Sequence, residues 1–457
     1  MKDNIIILAA GKSTRMKMNT NKCALPLLKK PLILHLMDTI NNTNIKNKIV
    51  VLGYEKESIQ KILGDSVTYV YQKEQLGTGH AVSIATEKLD YSEEITYIVC
   101  GDMPLIKEKT LTSLREYHLY NKNDITVVSS IIDEPKKYGR LVKDYASNLT
   151  KIVEYKDATN EELEIKEINT GIYCINTYLL PVLLSLIDNN NAQQEYYLTD
   201  LISIAYKKNY KVGVCQNLDS FQFSGIDDLK SLAEVEELLR KRIIEKHRDN
   251  GVLMLSSDTI TIAKEVNIEP GVIIYPNTYI TGNTYIHAGC IIGPNTEIHN
   301  STIKENTCIK HSLVSDSKIG SNTTIGPFAQ LRNNTIIGNN IRIGNFVEVK
   351  NSLIGNNTKV AHLTYIGDTT CGENVNFGCG VVTVNYDGKI KHRTTIEDNV
   401  FIGCNVNLVA PLTVKENSYI AAGSTITQDV PAKSLSIART RQINKEDYVK
   451  QMKNKKD

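Results

Sequence analysis

Residues 262–298 read IAKEVNIEPGVIIYPNTYITGNTYIHAGCIIGPNTEI, with isoleucine at Ile262, Ile268, Ile274, Ile280, Ile286, Ile292 and Ile298. A beat of one aliphatic residue in six fits neither an isolated helix nor a simple hairpin. It fits a hexapeptide parallel β-helix, in which each aliphatic side chain stacks into one continuous core. After slips the beat resumes at Ile319, Ile325, Leu331, Ile337, Ile343 and Val349, then at Ile354, Val360 and Ile366. It returns at Ile396, Ile402, Leu408, Val414, Ile420 and Ile426. Gly, Asn and Pro cluster between the beats, as in Gly293-Pro294-Asn295, and suit tight corners of left-handed backbone. The beat lapses after Val381, which predicts a loop expelled from the coil over Thr383–Thr395.

Upstream the period changes. Ile5–Ala10, Ile49–Gly53, Val67–Gln72 and Ile95–Cys100 read as strands, with helices at Pro31–Ile40, Lys56–Leu63 and Gly79–Lys88 between them. That alternation implies a Rossmann-like α/β domain with a mostly parallel sheet, binding ligands at the carboxyl ends of its strands. Leu229, Leu232, Val235, Leu238, Leu239, Ile243 and Ile244 then follow helical spacing, with Gly251 beyond as a stop. The expected domains are 1–228, a linker helix 229–249, and the β-helix 250–457.

Bulk properties narrow the class. A chain of 457 residues, 41% hydrophobic and 23% charged, suits a soluble protein of two or more domains. A net charge of +2 gives no general field for nucleic acid or an acidic membrane. Ile5–Ala10, behind Lys2, is too short for a signal-peptide core or a membrane span. Nine dispersed cysteines without a C-x-x-C pair suggest free thiols in a reducing compartment, hence a cytoplasmic protein. The basic end, Lys453–Asp457, reads as a frayed tail.

Leu8-Ala9-Ala10-Gly11-Lys12-Ser13-Thr14-Arg15-Met16 follows the first strand. Small residues there let amides approach phosphate oxygens, while Lys12 and Arg15 add positive charge. The segment resembles the signature of sugar-1-phosphate nucleotidyltransferases, with Ser13 where the family usually has a second glycine. Lys22 resembles the family's basic residue at the reacting phosphates. Gln72 to His80, with Gly77 and Thr78, resembles its uracil-reading segment. Cys100-Gly101-Asp102-Met103-Pro104 resembles its metal-binding G-D-x-P. Tyr138-Gly139-Arg140, Glu154 and Asn169-Thr170-Gly171 resemble its sugar contacts, and Asn190–Tyr197 a stretch typical of the N-acetylglucosamine-1-phosphate branch. Joining a sugar phosphate to UTP crowds negative oxygens at the α-phosphorus, so cations and alignment carry the chemistry. The resemblance implies Mg²⁺ on Asp102 and on Asp227, the latter standing where the family usually has Asn. The plainer reading makes Asp227 the cap of the linker helix.

Asn345–Lys350, Ala361–Asp368, Asn374–Gly378 and Asn385–Gly388 resemble, in order, the acetyltransferase half of the bacterial bifunctional uridylyltransferase/N-acetyltransferases. The resemblance covers essentially the whole chain. It implies that His362 is the catalytic base. An amine attacks a thioester only as the free base, and an imidazole titrates near neutrality. It implies further that Arg332, Lys350, Tyr365 and Asn376 hold glucosamine-1-phosphate. Cys379, Asn385, Tyr386, Cys404, Ala422 and Arg439 would meet acetyl-CoA, with Cys379 where the family usually has Ala and Cys404 where it has Ser. Glu348 reads either as the residue orienting His362 or as a solvated rung residue. The same resemblance implies a homotrimer. Two narrower readings share the architecture: a nucleotidyltransferase whose β-helix only oligomerises, and a non-catalytic regulatory subunit. The His362 neighbourhood speaks against the first, and intact Arg15, Lys22 and Asp102 against the second.

Overall fold

The computed structural model describes residues 3–11, 14–18 and 20–453. Lys2, Lys12, Ser13 and tail residues 454–457, on which sequence readings rest, lie outside them. The chain divides into two compact units, Met1–Leu239 and Arg240–Asp457.

The front unit is built on strands β1 (Asp3–Ala9), β2 (Ile45–Leu52), β3 (Thr68–Tyr71), β4 (Ile95–Cys100), β5 (Ile125–Ile131), β6 (Arg140–Lys143), β7 (Leu149–Val153), β8 (Glu167–Asn176) and β9 (Val212–Gln216). The sheet order is β9-β5-β8-β4-β1-β2-β3, with β6 and β7 on its margin. β1 pairs in parallel with β2 and β4, and β8 runs antiparallel to β4 and β5. Ile5, Ile6 and Ile7 are fully buried, as a strand covered on both faces requires. Helices α1 (Leu32–Asn41), α2 (Lys56–Leu63), α3 (Thr78–Ala85) and α4 (Glu108–Tyr120) lie where the alternation predicted helices or beyond it. The expected helix Gly79–Lys88 is α-helical only to Ala85 and finishes as a 3₁₀ turn, Thr86–Lys88. The helix α5 spans Leu229–Asp249, and the division between units falls within it.

The back unit is a parallel β-helix of the left-handed hexapeptide class. Three stacks of short parallel strands form its walls. The first begins at Thr261–Ile262, the second at Asn267–Ile268 and the third at Leu253–Met254, which pairs with Ile273–Ile274. Ile262 pairs with Ile280 and Ile280 with Ile298, so a full coil takes three hexapeptides. Ile298, however, pairs with Val314, two residues short of a full coil, and this is where the sequence beat slips. Shortened corners absorb the slip while the inward column stays aligned. Ile280, Ile298, Leu331, Val349, Ile366 and Leu408 are all fully buried. Thr383 occupies the same column, and its hydroxyl accepts from Gly367 N at 2.7 Å. A polar residue there explains why the aliphatic beat lapses. The expelled loop is shorter than the expected Thr383–Thr395, because strands Val382–Val384 and Thr394–Ile396 claim both ends.

Candidate functional site

Because β1 and β4 lie side by side and parallel, the segments following Ala9 and Cys100 leave the sheet together. A cleft of about 550 Å³ opens there, lined by Leu8, Ala9, Ala10, Gly11, Lys22 and Asp102 on one side and Gln72, Gly77 and Thr78 on the other. Gly101 N donates to Leu8 O at 2.9 Å, which locks the two strand ends together. Gly77 adopts φ 111°, and a Cβ there would lie 2.6 Å from Tyr196 O, so only glycine fits. Tyr196 N donates to Leu76 O, and Leu198 N to the Thr78 hydroxyl, docking residues 196–198 beside the Gln72–His80 segment.

Four charged groups meet at this end of the sheet. The Lys22 ammonium is bonded to Asp102 and lies 3.5 Å from Asp227 Oδ1, while Arg15 Nη1 donates to Asp227 Oδ2 at 2.9 Å. Burial works against the Lys22 charge, but chiefly the carboxylate of Asp102 outweighs it and lifts the ammonium above its usual pKa. Asp227 is not the helix cap. Asp228 fills that role, its Oδ1 accepting from Ser231 N at 2.8 Å, which leaves the Asp227 carboxylate free to face Arg15 and Lys22. Cys23 and Cys100 beside the cleft are pushed up to about 12, first by burial and then by the charge of Asp102, so both stay protonated thiols. Among the described residues no group of three or more His, Cys, Asp or Glu is gathered to hold a metal ion. A cation here needs donors beyond Asp102 and Asp227, as Mg²⁺ on a phosphate substrate has. The fit is sound: both carboxylates already converge on one cation, the Lys22 ammonium.

Gly139, Glu154 and Asn169 form a second group outside the lining of that cleft. Asn169 N donates to Gly139 O at 2.9 Å, and a Cβ on Gly139 would lie 3.4 Å from Val153 O, next to Glu154. Burial pushes the Glu154 carboxyl up, against the hydrogen bond it accepts from Thr199 Oγ1. Sequence reading missed Asn21 and gave Gln75, inside the Gln72–His80 segment, no role of its own. Asn21 donates to Ala9 O and Tyr54 O, and Gln75 donates to Ala10 O at 2.7 Å, so both hold the backbone that follows β1. Isolated loop amides carry no pattern to find them by.

In the back unit the sequence-predicted residues gather at the corner between the third and first stacks. Asn345 pairs with His362; Asn405 N donates to Cys379 O, and Gly423 N to Cys404 O. Asn345, His362, Cys379, Cys404 and Ala422 thus occupy one position on successive coils. A Cβ at Gly344 would approach Ala361 O to 1.7 Å, so the coils close up only on glycine there. Arg439 reaches the same corner, its Cδ 3.9 Å from a Cβ built on Gly423. His362 is exposed, and its Nδ1 meets Asn345 Oδ1 at 2.9 Å. With that oxygen accepting, Nδ1 carries the proton and Nε2 keeps its lone pair. Glu348 does not orient His362: its Oε1 accepts two bonds from Arg332, at 2.9 and 2.6 Å.

Arg332, Lys350 and Tyr365 lie together on the first stack, where Arg332 pairs with Lys350 and Glu348 with Tyr365. Asn376 stands apart on the third stack, paired with Lys359 and Phe401. Asn385 is buried, and its amide donates to Asp368 Oδ2; Tyr386 is exposed, and its hydroxyl donates to Gly388 O at 2.8 Å. The loop also delivers Lys391, which sequence reading passed over among ordinary loop lysines. The Lys391 ammonium lies against that of Lys350 and pulls the latter below its usual pKa. Two ammonium groups with Arg332 nearby make a seat for a multiply charged anion. The loop is pinned by an Asp387–His392 contact of 2.8 Å, and that pairing holds the Asp387 carboxyl well below its usual range.

A nucleotide-type cleft on an α/β sheet, joined to a hexapeptide β-helix with a histidine corner, defines a two-domain transferase. Sequence comparison agrees. Residues 5–158 match the family described as MobA-like NTP transferase domain, residues 257–345 the GMPPB C-terminal domain, and residues 393–428 the bacterial transferase hexapeptide. Proteins described as bifunctional protein GlmU match nearly end to end. The one from Acholeplasma laidlawii is 49% identical over 98% of each chain. Those from Geobacillus sp. strain WCH70 and Clostridioides difficile are each 47% identical over 99% of this chain and 98% of theirs. The chain belongs to the bifunctional GlmU family. It is a transferase of UDP-N-acetylglucosamine synthesis, with uridylyltransferase and acetyltransferase activities.

Proposed function

We propose that the β-helix corner acetylates glucosamine-1-phosphate with acetyl-CoA, and that the front cleft then transfers UMP from UTP to N-acetylglucosamine-1-phosphate, releasing pyrophosphate. One observation carries this assignment: Leu8, Ala9, Ala10, Gly11, Lys22, Gln72, Gly77, Thr78 and Asp102 line one cleft, and Asn345, His362, Cys379, Cys404 and Ala422 stack on one corner. At the corner, the His362 lone pair on Nε2 takes a proton from the sugar amine as the nitrogen attacks the thioester carbonyl. Lys350, Lys391 and Arg332 hold the sugar phosphate, with Tyr365 and Asn376 beside the sugar. Cys379, Cys404, Ala422 and Arg439 line the coenzyme's path up the column, and Asn385 and Tyr386 meet its acetyl end.

In the front cleft, amides of Ala9, Ala10 and Gly11 approach the triphosphate, and Arg15 and Lys22 neutralise it. Gln72, Gly77 and Thr78 face the uracil, with Gly101 at the nucleotide; Gly139, Glu154 and Asn169 face the amino sugar. Asp102 and Asp227 would hold Mg²⁺, which would supply charge neutralisation at the reacting phosphates. Lys22, held between Asp102 and Asp227, would offset negative charge on the leaving pyrophosphate.

The protein works as a homotrimer on small molecules rather than on nucleic acid or membrane. Phe328, Phe346 and Leu363 support association: they stack up the same corner at positive φ and stay 57–59% exposed. Bulky apolar residues at strained, open positions suit a surface covered by another subunit. Among the described residues no helix is long and apolar enough to cross a membrane, and the cysteines are free, which supports a cytoplasmic site of action. The test is one assay with glucosamine-1-phosphate, acetyl-CoA, UTP and Mg²⁺. Release of both free coenzyme A thiol and pyrophosphate is expected. Pyrophosphate only from supplied N-acetylglucosamine-1-phosphate refutes the corner assignment, and sedimentation as an active monomer refutes the trimer.

A further inference from the structure

Cys379 and Cys404 are neighbours on successive coils. Asn376 and Phe377 pair in parallel with Phe401 and Ile402, and Asn405 N donates to Cys379 O at 2.8 Å, which carries the register through both cysteines. In-register residues on paired strands stand about 4.8 Å apart. That falls inside the window of roughly 4.4–6.8 Å between Cα atoms that a disulfide spans. The coils abut closely at this point, since a Cβ on Gly378 would lie 2.6 Å from Cys404 N. Both thiols are exposed, whereas the other seven cysteines are buried or half-buried. A small oxidant in solution therefore meets this pair before any other.

We propose that Cys379 and Cys404 form a reversible disulfide by exchange with a low-molecular-weight disulfide. One cysteine loses its proton, and its sulfur attacks the small disulfide. The S–S bond breaks, one small thiol leaves, and a mixed disulfide remains on the protein. The second cysteine loses its proton, attacks the protein-bound sulfur and expels the second small thiol. Two protein thiols are oxidised and one small disulfide is reduced to two thiols. The staple lies one coil from His362 in the same column, so it fills surface beside the imidazole. Its effect on acetyl transfer rests on the site assignment proposed above; the bond itself does not.

The test treats the native full-length protein with oxidised glutathione, alkylates remaining thiols with iodoacetamide, and maps tryptic peptides. The expected product joins peptides 360–389 and 394–415 through Cys379 and Cys404 and is released by dithiothreitol. In Cys404→Ser the link is absent and Cys379 carries glutathione instead. Glutathione on both cysteines without a link, full alkylation of both, or a link through Cys371 overturns the proposal. Acetyl transfer is followed in the same samples. It should fall in proportion to the linked fraction and recover with dithiothreitol, while uridylyl transfer persists. A complete link with undiminished acetyl transfer leaves the disulfide standing and removes this corner as the acetyl-transfer site.

Discussion

Asn345 is the sharpest lever on the acetyl-transfer chemistry, because it touches His362 without being placed on substrate. Its Oδ1 lies 2.9 Å from His362 Nδ1. A neutral hydrogen bond is worth about 1 kcal/mol net, so Asn345→Ala should lower kcat for acetyl transfer about fivefold by loosening the tautomer and ring orientation. His362→Ala removes the base itself and should lose about 10²- to 10⁴-fold. Asn345→Asp separates orientation from charge. A carboxylate facing the imidazole favours its protonated form, whereas the reaction needs the neutral one. An exposed pair of this kind is worth about 0.2–1 kcal/mol. At about 1.4 kcal/mol per pH unit, the acid limb of kcat/KM should move up by at most about 0.7 unit. The assay follows free thiol release from acetyl-CoA between about pH 6 and 9, with glucosamine-1-phosphate varied. KM for acetyl-CoA should hold steady in both variants. An acid limb that moves down in Asn345→Asp, or an Asn345→Ala loss as large as that of His362→Ala, refutes the assignment of Asn345 as the orienting partner of the base.

The two activities should separate: His362→Ala abolishes acetyl transfer and spares uridylyl transfer, Asp102→Ala does the reverse, and loss of both in either folded variant refutes distinct sites. Asp228→Ala removes the helix cap, and chemical denaturation should show the front unit about 1 kcal/mol less stable, with Mg²⁺ dependence of uridylyl transfer unchanged. Asp200 is pushed up to about 6, first by burial and then by Asp188 and Asp157. The folded chain holds a proton there that the unfolded chain has released, so stability is lost as pH rises from about 4 to 6. Asp200→Asn should remove that loss, raising stability at pH 7 by about 1 kcal/mol after allowance for its partial exposure; an unchanged pH dependence of the melting temperature refutes it. Ile366→Ala opens a cavity in the aliphatic column and should cost about 2–5 kcal/mol in the back unit, read by denaturation.

The sequence by itself determined the two architectures, the linker helix and the order of the motifs. Periodicity records which side chains face inward, and burial of those faces is the dominant force in folding. The same record reads poorly wherever the side-chain period is broken. Coils shortened at Val314 and the polar Thr383 in the inward column looked like gaps, yet the core runs through both. What only the tertiary structure decided was which residues meet. On the chain Asp227 read either as a metal ligand or as the cap of the linker helix, and hydrogen-bond geometry gives the cap to Asp228 and sets Asp227 against Arg15 and Lys22. Glu348 stands nearer His362 in sequence than Asn345 does, but the first is taken by Arg332 and the second faces the ring. Lys391 reaches Lys350 only because the expelled loop folds back. The contacts of Glu348, Asn345 and Asp227 span 16 to 212 residues along the chain. They depend on strand register and loop closure, which fix distances to a few ångströms where residue order fixes none.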